Sequence, residues 1–184
     1  LAIEFLRKYS SINGRLVRYG DLNDGPYNKP VYVYLWPEVK PYQYLVEKAF
    51  AFWTKYTGIK FAILDQLPGP EDQTPRCAIT GNFNSDPGYA ADTMIGYGSS
   101  FKITGGTIRL YKGWEVASEK HKIYVLAHEL GHVLMTGYPT SAGINLGHTD
   151  DGSLMDKDMG ARMLHTYQQL AMKILYSKNP GDNL

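Results

Sequence analysis

Two histidines four residues apart, in a stretch that reads HELGH at 128–132, constrain this chain more than any other feature. On an α-helix, residues i and i+4 lie one above the other on the same face, so His128 and His132 can point two imidazoles at one metal ion. Glu129 follows the first histidine, and its carboxylate can reach a water molecule at that metal. This HExxH spacing is typical of zinc sites and predicts a metal-binding helix over residues 118–136.

A catalytic zinc site has three protein ligands and one open position, so HELGH needs a further ligand from elsewhere in the chain. No glutamate follows Glu129, which excludes the zinc peptidases that take their third ligand from a downstream glutamate. His148, His165 and several aspartates remain as candidates. We favour His148, because it lies in a predicted loop just after the helix, whereas His165 lies inside a later helical pattern at 161–177.

Two further segments follow the helix in order, LGH at 146–148 and GSLM at 152–155. Together with HELGH, they resemble the metzincin zinc metallopeptidases and, within them, the matrix-metalloproteinase-like (matrixin-like) enzymes. The resemblance implies that one catalytic zinc is bound by three histidines, His128, His132 and His148. It also implies that Glu129 is the catalytic base and that Met155 lies in a tight turn beneath the metal, the Met-turn.

The chain departs from the family's pattern in one place. The metzincin motif is HExxHxxGxxH, whereas fifteen residues, 133–147, lie between His132 and His148 here. The resemblance therefore requires an insertion between the second and third zinc histidines. We expect residues 138–147 to form a surface loop near the cleft.

The resemblance also implies a fold. This is an α+β, zincin-like domain with a twisted mixed β-sheet, two helices, and a small C-terminal subdomain that carries the Met-turn and a last helix. A chain of 184 residues with 43% hydrophobic content suits one such domain. We predict an N-terminal extension at 1–28 and a single catalytic domain at 29–184, divided into an upper subdomain at 29–137 and a lower one at 138–184.

Residue patterns predict the individual elements. Runs of β-branched and aromatic residues predict five strands, at 31–35, 60–64, 77–80, 93–97 and 107–111. Gly105 and Gly106 predict a turn between the last two strands. Apolar residues at helical spacing predict helices at 41–56 and 161–177. A shorter helix is predicted near the N terminus, with one apolar face formed by Ile3, Phe5, Leu6 and Tyr9.

The resemblance assigns substrate binding to the sheet edge above the cleft. In the family, an extended substrate pairs with the strand before that turn by strand addition. We map this role to Ile95, Gly96 and Tyr97. The implied function is zinc-dependent hydrolysis of peptide bonds within a protein or peptide substrate, with Glu129 activating water at the zinc. The resemblance further implies a secreted or extracellular location.

Composition excludes other classes of partner. The net charge is +1, from 19 basic and 18 acidic side chains, and no basic stripe predicts nucleic-acid binding. No apolar run is long enough for a membrane span. The single cysteine, Cys77, cannot form an intramolecular disulfide, and it is interpreted as a small core residue entering a strand.

The distribution of histidines and aspartates bears on other metals. No histidine lies between residues 1 and 120, which argues against a second, histidine-bound zinc there, whereas Asp86 and Asp92 are compatible with a calcium ion.

One alternative function is a catalytically inactive, zinc-stabilised protein-binding module, although such a module would be expected to replace Glu129. Another is an apolar helix with two incidental histidines and no metal.

Overall fold

The computed structural model describes residues 1–20, 29–69, 71–72, 74–97, 101–135, 139–140, 143–144, 148–156 and 163–184. Five α-helices lie within these residues: α1 (Ala2–Tyr9), α2 (Gln43–Thr57), α3 (Lys112–Glu115), α4 (Glu119–Leu134) and α5 (Thr166–Tyr176). The strands there are β1 (Ser11–Ile12), β2 (Arg15–Leu16), β3 (Arg18–Tyr19), β4 (Val31–Leu35), β5 (Phe61–Leu64), β6 (Arg76–Asn82), β7 (Ala91–Tyr97), β8 (Lys102–Tyr111), β9 (Pro139–Thr140) and β10 (Gly143–Ile144).

The main sheet has six strands and is mostly parallel. Its order is β3-β8-β6-β4-β5, and every neighbouring pair in that order is parallel. β7 is antiparallel to β8, and residues 105–110 of β8 pair with both β6 and β7, so these two strands lie on opposite sides of β8. Within the described residues β7 is therefore an edge strand. The prediction of a mixed sheet combined with helices is confirmed at this level.

The helices α2 and α4 pack on one face of this sheet, which we call the inner face. The alternation in β4 buries Val31, Val33 and Leu35 toward that face, as the period of two of a strand requires. The indole of Trp53 on α2 donates to the carbonyl of Ala127 on α4 over 2.8 Å, which joins the two helices. Gly58 ends α2 at φ 77°, a left-handed conformation that suits glycine.

The predicted turn at Gly105 and Gly106 is wrong, because both glycines lie inside β8. A Cβ on Gly106 would lie 2.8 Å from Cγ2 of Val133 on α4, and a Cβ on Gly105 would collide with the carbonyl oxygen of Arg76 on β6. The two glycines thus permit the close approach of a helix and a strand. From the sequence alone, this use of adjacent glycines cannot be distinguished from a turn.

Cys77 occupies the predicted core position in a strand. It lies in β6 and is fully buried, and burial raises the pKa of its thiol to about 12.

The two terminal helices, α1 and α5, hold the end of α4. Ser10 Oγ donates to the carbonyl of Met135 over 2.6 Å, and the Tyr176 hydroxyl donates to the carbonyl of Leu134 over 2.8 Å. The last carbonyls of a helix have no partner within it, so these two bonds satisfy groups that are buried here. The segment before residue 20 also supplies β3 to the main sheet. The predicted boundary at residue 28 itself lies outside the described residues.

Two helices, α1 and α5, differ from their predictions. Phe5, Leu6 and Tyr9 of α1 are buried as expected, but Ile3 is exposed. The last helix begins at Thr166 rather than 161, and its buried residues are Gln168, Ala171, Met172, Leu175 and Tyr176. Met163 precedes this helix and Leu170 lies on its outer side, so both are half exposed.

The predicted surface loop at 138–147 lies largely outside the described residues. Two short antiparallel strands, β9 and β10, pair within it. None of the helices in the described part of the chain has the length and apolar character that a membrane crossing requires.

Candidate metal centre

The helix α4 begins as the sequence predicts and is buried over its second half. Ser118 is its N-cap and accepts a hydrogen bond from the backbone N–H of His121 over 3.4 Å. Every residue from Val125 to Leu134 is buried. Three of these are polar, and they are only 5, 6 and 8% exposed: His128, Glu129 and His132. Buried polar groups destabilise a fold unless they have partners, so the surroundings of these side chains are informative.

Three imidazoles converge at this point. The Nε2 atom of His128 lies 3.1 Å from Nε2 of His132 and 3.1 Å from Nε2 of His148. All three candidate ligand atoms lie within 4.8 Å of one another, and no other such group of metal-binding side chains occurs among the described residues. The third histidine in the group is therefore His148, which lies beyond the helix and beyond β9 and β10.

The protonation state of His128 follows from its other ring nitrogen. Its Nδ1 atom lies 2.7 Å from the carbonyl oxygen of Leu154. Because a carbonyl can only accept, Nδ1 carries the proton and Nε2 presents a lone pair to the other two histidines. The pKa of His128 is lowered to about 4, chiefly by burial and also by the nearby His148, although the hydrogen bond to the Leu154 carbonyl acts in the opposite direction. His128 is thus neutral, the form that binds a metal.

The two measured nitrogen–nitrogen distances are compatible with a zinc ion. Two nitrogens 3.1 Å apart can both lie at the usual Zn–N distance of about 2.0–2.1 Å with an angle of about 100° between them, near the tetrahedral value. Three imidazole nitrogens with one open position form a donor set typical of catalytic zinc. The group could hold a metal ion, as the sequence predicts.

Glu129 lies beside the histidines and is held by the sheet. The Thr93 hydroxyl of β7 donates to Glu129 Oε2 over 2.5 Å and to the backbone carbonyl of Glu129 over 3.3 Å. The pKa of the Glu129 carboxyl is raised to about 7, chiefly by burial and also by the negative charge of Asp92, although the hydrogen bond from Thr93 acts in the opposite direction. The sequence offers no signal for Thr93, because the contact joins residues 36 positions apart.

Met155 lies in a tight turn against α4. The backbone N–H of Asp156 donates to the Ser153 carbonyl over 3.2 Å, which closes a turn with Met155 inside it. Met155 is fully buried, and a Cβ on Gly131 would lie only 2.8 Å from its Cε atom. Gly131 immediately precedes His132 and lies about one turn from His128, so the absence of a side chain there makes room for the thioether against α4.

The turn is fastened to α5 by Asp151. Its Oδ1 accepts from Thr149 Oγ1 over 2.7 Å and from the Ser153 N–H over 3.0 Å. Its Oδ2 accepts from Gln168 Nε2 over 3.0 Å and from the Tyr167 hydroxyl. Burial raises the pKa of the Asp151 carboxyl, but these hydrogen bonds lower it more, so the net shift is downward. Asp151 was among the open candidates for the third ligand, and the structure gives it this different role.

His165 lies at the N-cap of α5 and not within the helical pattern predicted for it. Its Nε2 atom lies 2.9 Å from the Asp151 carbonyl, and Gln168 Oε1 accepts from its backbone N–H over 2.8 Å. The side chain therefore contributes to the packing of α5 against the turn. His165 thus lies immediately before the first residue of the helix, Thr166.

The predicted substrate strand is the edge strand. Ile95, Gly96 and Tyr97 form the end of β7, which pairs only with β8 in the described part of the chain. Ile95 packs on the core at the inner face, and Gly96 faces the other way. The side chain of Tyr97 is outside what the structure describes.

The two aspartates considered for calcium are placed differently from each other. Arg109 donates two hydrogen bonds to the Asp92 carboxylate, from Nε to Oδ1 and from Nη2 to Oδ2, both over 2.7 Å. The guanidinium therefore already neutralises this carboxylate. Asp86 accepts only from the Gly88 N–H over 3.3 Å among the described residues. Calcium binding stays a prediction.

Comparisons with known proteins do not add a family. No protein-family model matches this chain, and a search of curated proteins finds no match.

The convergence of three imidazoles predicts one metal ion per chain. His148→Ala should weaken zinc retention by more than about a hundredfold, because ligand loss costs more than loss of a supporting residue. His165→Ala should retain zinc, because His165 contacts Asp151 and not the other histidines. Zinc-to-protein ratios after dialysis against a graded series of chelator concentrations measure both. The opposite ranking of the two variants would show that His148 is not the third ligand.

The close contact at Gly131 predicts a loss of stability on adding one methyl group. Gly131→Ala should lower the free energy of unfolding by about 1–3 kcal/mol, because Met155 must move. Gly113→Ala is the matched control, since a Cβ there meets its nearest atom at an ordinary 3.5 Å. Urea unfolding followed by tryptophan fluorescence compares them. Equal stability of the two variants would contradict the packing of Met155 against α4.

The hydrogen bonds of Asp151 predict a contrast between neighbouring aspartates. Asp151→Ala should lower the free energy of unfolding by about 2 kcal/mol, because buried donors lose their acceptor. Asp150→Ala should change it by less than about 0.5 kcal/mol, because Asp150 is exposed. The same urea unfolding measurement applies, and a similar loss in both variants would count against the network.

Proposed function

We propose that this protein is a zinc-dependent endopeptidase of metzincin type. The observation that carries the proposal is the convergence of three imidazole Nε2 atoms beside a buried carboxylate: His128, His132, His148 and Glu129. A structural zinc site is closed by four protein ligands, whereas three histidines leave a position for water or substrate. When bound, the zinc ion would polarise the scissile carbonyl and lower the pKa of a water molecule.

Glu129 is the proposed general base. Thr93 donates to Oε2 and so orients the carboxylate, while Oε1 accepts no hydrogen bond from the described residues. Oε1 is thus available to take a proton from the attacking water and to transfer it to the leaving nitrogen. The placement of Glu129 one residue from His128, about 100° around the helix, puts it beside the metal ligands and not among them.

The position of β7 supports a peptide as the substrate. An extended peptide can add to an edge strand through main-chain hydrogen bonds. Thr93 links this strand directly to Glu129, so a peptide paired with β7 near Thr93 lies close to the proposed base. Ile95, Gly96 and Tyr97 continue the same strand and are proposed as substrate-binding residues.

The tight turn around Met155 supports the resemblance to the metzincins. The Met155 side chain is buried against α4 at Gly131, which immediately precedes His132, and the family's Met-turn lies beneath the metal. The chain reaches this arrangement despite the longer segment between His132 and His148.

The alternative of an inactive, zinc-stabilised binding module is less well supported. Glu129 is almost fully buried, and burying a carboxylate lowers stability unless it serves another purpose. A module that needs only three histidines would gain stability by replacing it. The Thr93 bond instead keeps this carboxylate in a defined orientation.

The proposal predicts that Glu129→Gln folds, retains zinc and loses activity. The amide keeps the shape of the side chain but cannot accept the proton, and general-base catalysis contributes about 10²–10⁴-fold in rate. Hydrolysis of an unstructured protein substrate should therefore fall by at least about a hundredfold. Zinc content is measured in the same samples. Glu129→Ala should behave in the same way.

Glu119→Gln is the control, since Glu119 lies on the same helix but is exposed at its first turn. It should retain full activity and zinc. Wild-type hydrolysis that persists in chelator, or a Glu129→Ala variant as active as the wild type, would refute the peptidase proposal. Zinc binding with no hydrolysis by the wild type would favour the binding module.

A further inference from the structure

A second concave site lies on the face of the sheet opposite α4, which we call the outer face. The alternation in β6 buries Cys77 and Ile79 toward the helices, so Arg76 and Ala78 point to the outer face. A cavity of about 500 Å³ opens there, within the range of ligand sites in proteins. Its lining includes Leu67, Asp72, Arg76, Met94, Lys102 and Thr104.

The cavity reaches the same sheet edge as the proposed substrate strand. In the register of the sheet, Arg76 of β6 pairs with Gly105 of β8, and Gly105 pairs with Gly96 of β7. Neither residue of this row between Arg76 and the open edge has a side chain, and the neighbouring Thr104 hydroxyl faces Gly96, since a Cβ on Gly96 would lie 3.1 Å from Thr104 Oγ1. Met94 of β7, which is 55% exposed, forms an apolar wall beside the row.

Arg76 presents unused hydrogen-bond donors to this cavity. Its Nη1 donates to the carbonyls of Asp72 and Thr74 over 2.9 and 3.3 Å, which anchors one end of the guanidinium. Among the described residues, Nε and Nη2 of Arg76 have no acceptor and the side chain forms no ion pair. The Asp72 carboxylate accepts at Oδ1 from the Thr74 N–H over 2.8 Å, and its pKa is lowered by hydrogen bonds from Thr74 and, less, by the charge of Arg76.

The charge of the cavity favours an anionic group. Two basic side chains, Arg76 and Lys102, and one acidic side chain, Asp72, line it. An arginine with a free edge matches a carboxylate through two parallel hydrogen bonds. Leu67 and Met94 would contact the methylene groups that carry such a carboxylate.

We propose that this cavity is a subsite for an acidic side chain of the peptide that binds along β7. Alternate side chains of an added strand point to opposite faces of the sheet. Those on the inner face approach Glu129, and those on the outer face pass Met94 and Gly96. This inference rests on the proposed function, because it assumes that a peptide pairs with β7.

The spacings within the sheet predict where in the peptide the acidic residue lies and how long its side chain is. Thr93, which contacts Glu129, is three residues from Gly96, or about 10 Å along a strand. The acidic residue should therefore lie about three residues from the scissile bond. The added strand is three strand spacings, about 14 Å, from β6. Glutamate should thus be preferred to aspartate, because its longer side chain reaches farther toward Arg76.

The experiment uses zinc-loaded protein and paired fluorogenic peptides that carry Glu, Asp or Gln at each position around the cleaved bond. The wild type should prefer Glu to Gln by about tenfold in kcat/KM at a single position, as expected for a charged, two-bond contact. Arg76→Gln should abolish that preference and cleave the Gln peptide at the wild-type rate. Arg76→Lys, which keeps the charge and loses the planar fork, should retain part of it.

Arg7→Gln is the control, because Arg7 is exposed on α1 and lies outside the cavity lining. It should keep the full preference for Glu. Two results would overturn the subsite and leave the peptidase proposal intact. The wild type could cleave the peptides without a preference for Glu, or the preference for Glu could persist in Arg76→Gln.

A binding measurement separates the two proposals. Fluorescence anisotropy of labelled Glu and Gln peptides on the zinc-loaded Glu129→Gln variant reports the subsite without hydrolysis. If the Glu peptide binds more tightly than the Gln peptide, and this difference requires Arg76, the subsite is supported. If the wild type then cleaves no peptide, only the peptidase proposal fails. Equal binding of both peptides, or no binding, overturns the subsite.

Discussion

The hydrogen bond between His128 Nδ1 and the Leu154 carbonyl joins the two parts of the candidate metal centre. One partner lies on α4, and the other lies in the turn that also contains Met155. The bond sets the tautomer of the imidazole, so that the lone pair on Nε2 faces His132 and His148. A shift of the turn relative to the helix would break this bond and leave the tautomer and ring orientation of His128 unconstrained, so the position of the turn affects the geometry of the site.

Such a centre places polar groups in the interior, and the surrounding structure offsets that cost. Asp151 accepts four hydrogen bonds, two from within the turn segment and two from Tyr167 and Gln168 of α5, and so joins the turn to the start of that helix. Ser10 and Tyr176 satisfy the last carbonyls of α4. The two ends of the chain thus support the helix that carries the histidines. This arrangement explains why α1, which is far from HELGH in the sequence, packs against α5 and not apart from the domain.

The edge strand β7 connects the inner and outer faces of the sheet. Thr93 points to the inner face and holds Glu129, whereas Met94 and Gly96 point to the outer face beside Arg76. A strand shows alternate side chains to opposite faces, so a single peptide on this edge could contact both sites. The two glycines of β8 contribute to both faces, since Gly106 admits α4 and Gly105 adds no side chain to the row that ends at Arg76.

The sequence by itself determined the local parts of this protein. The spacing of His128 and His132 places both on one helical face, and the alternation of Val31 to Leu35 buries one side of β4, because each depends only on the period of its element. Sequence order also favoured His148 over His165. The partnership of Thr93 with Glu129, the role of Asp151, and the use of Gly105 and Gly106 for close packing were decided only by the tertiary structure. These contacts join residues far apart in the chain, and the pattern around a residue does not specify which distant surface will pack against it.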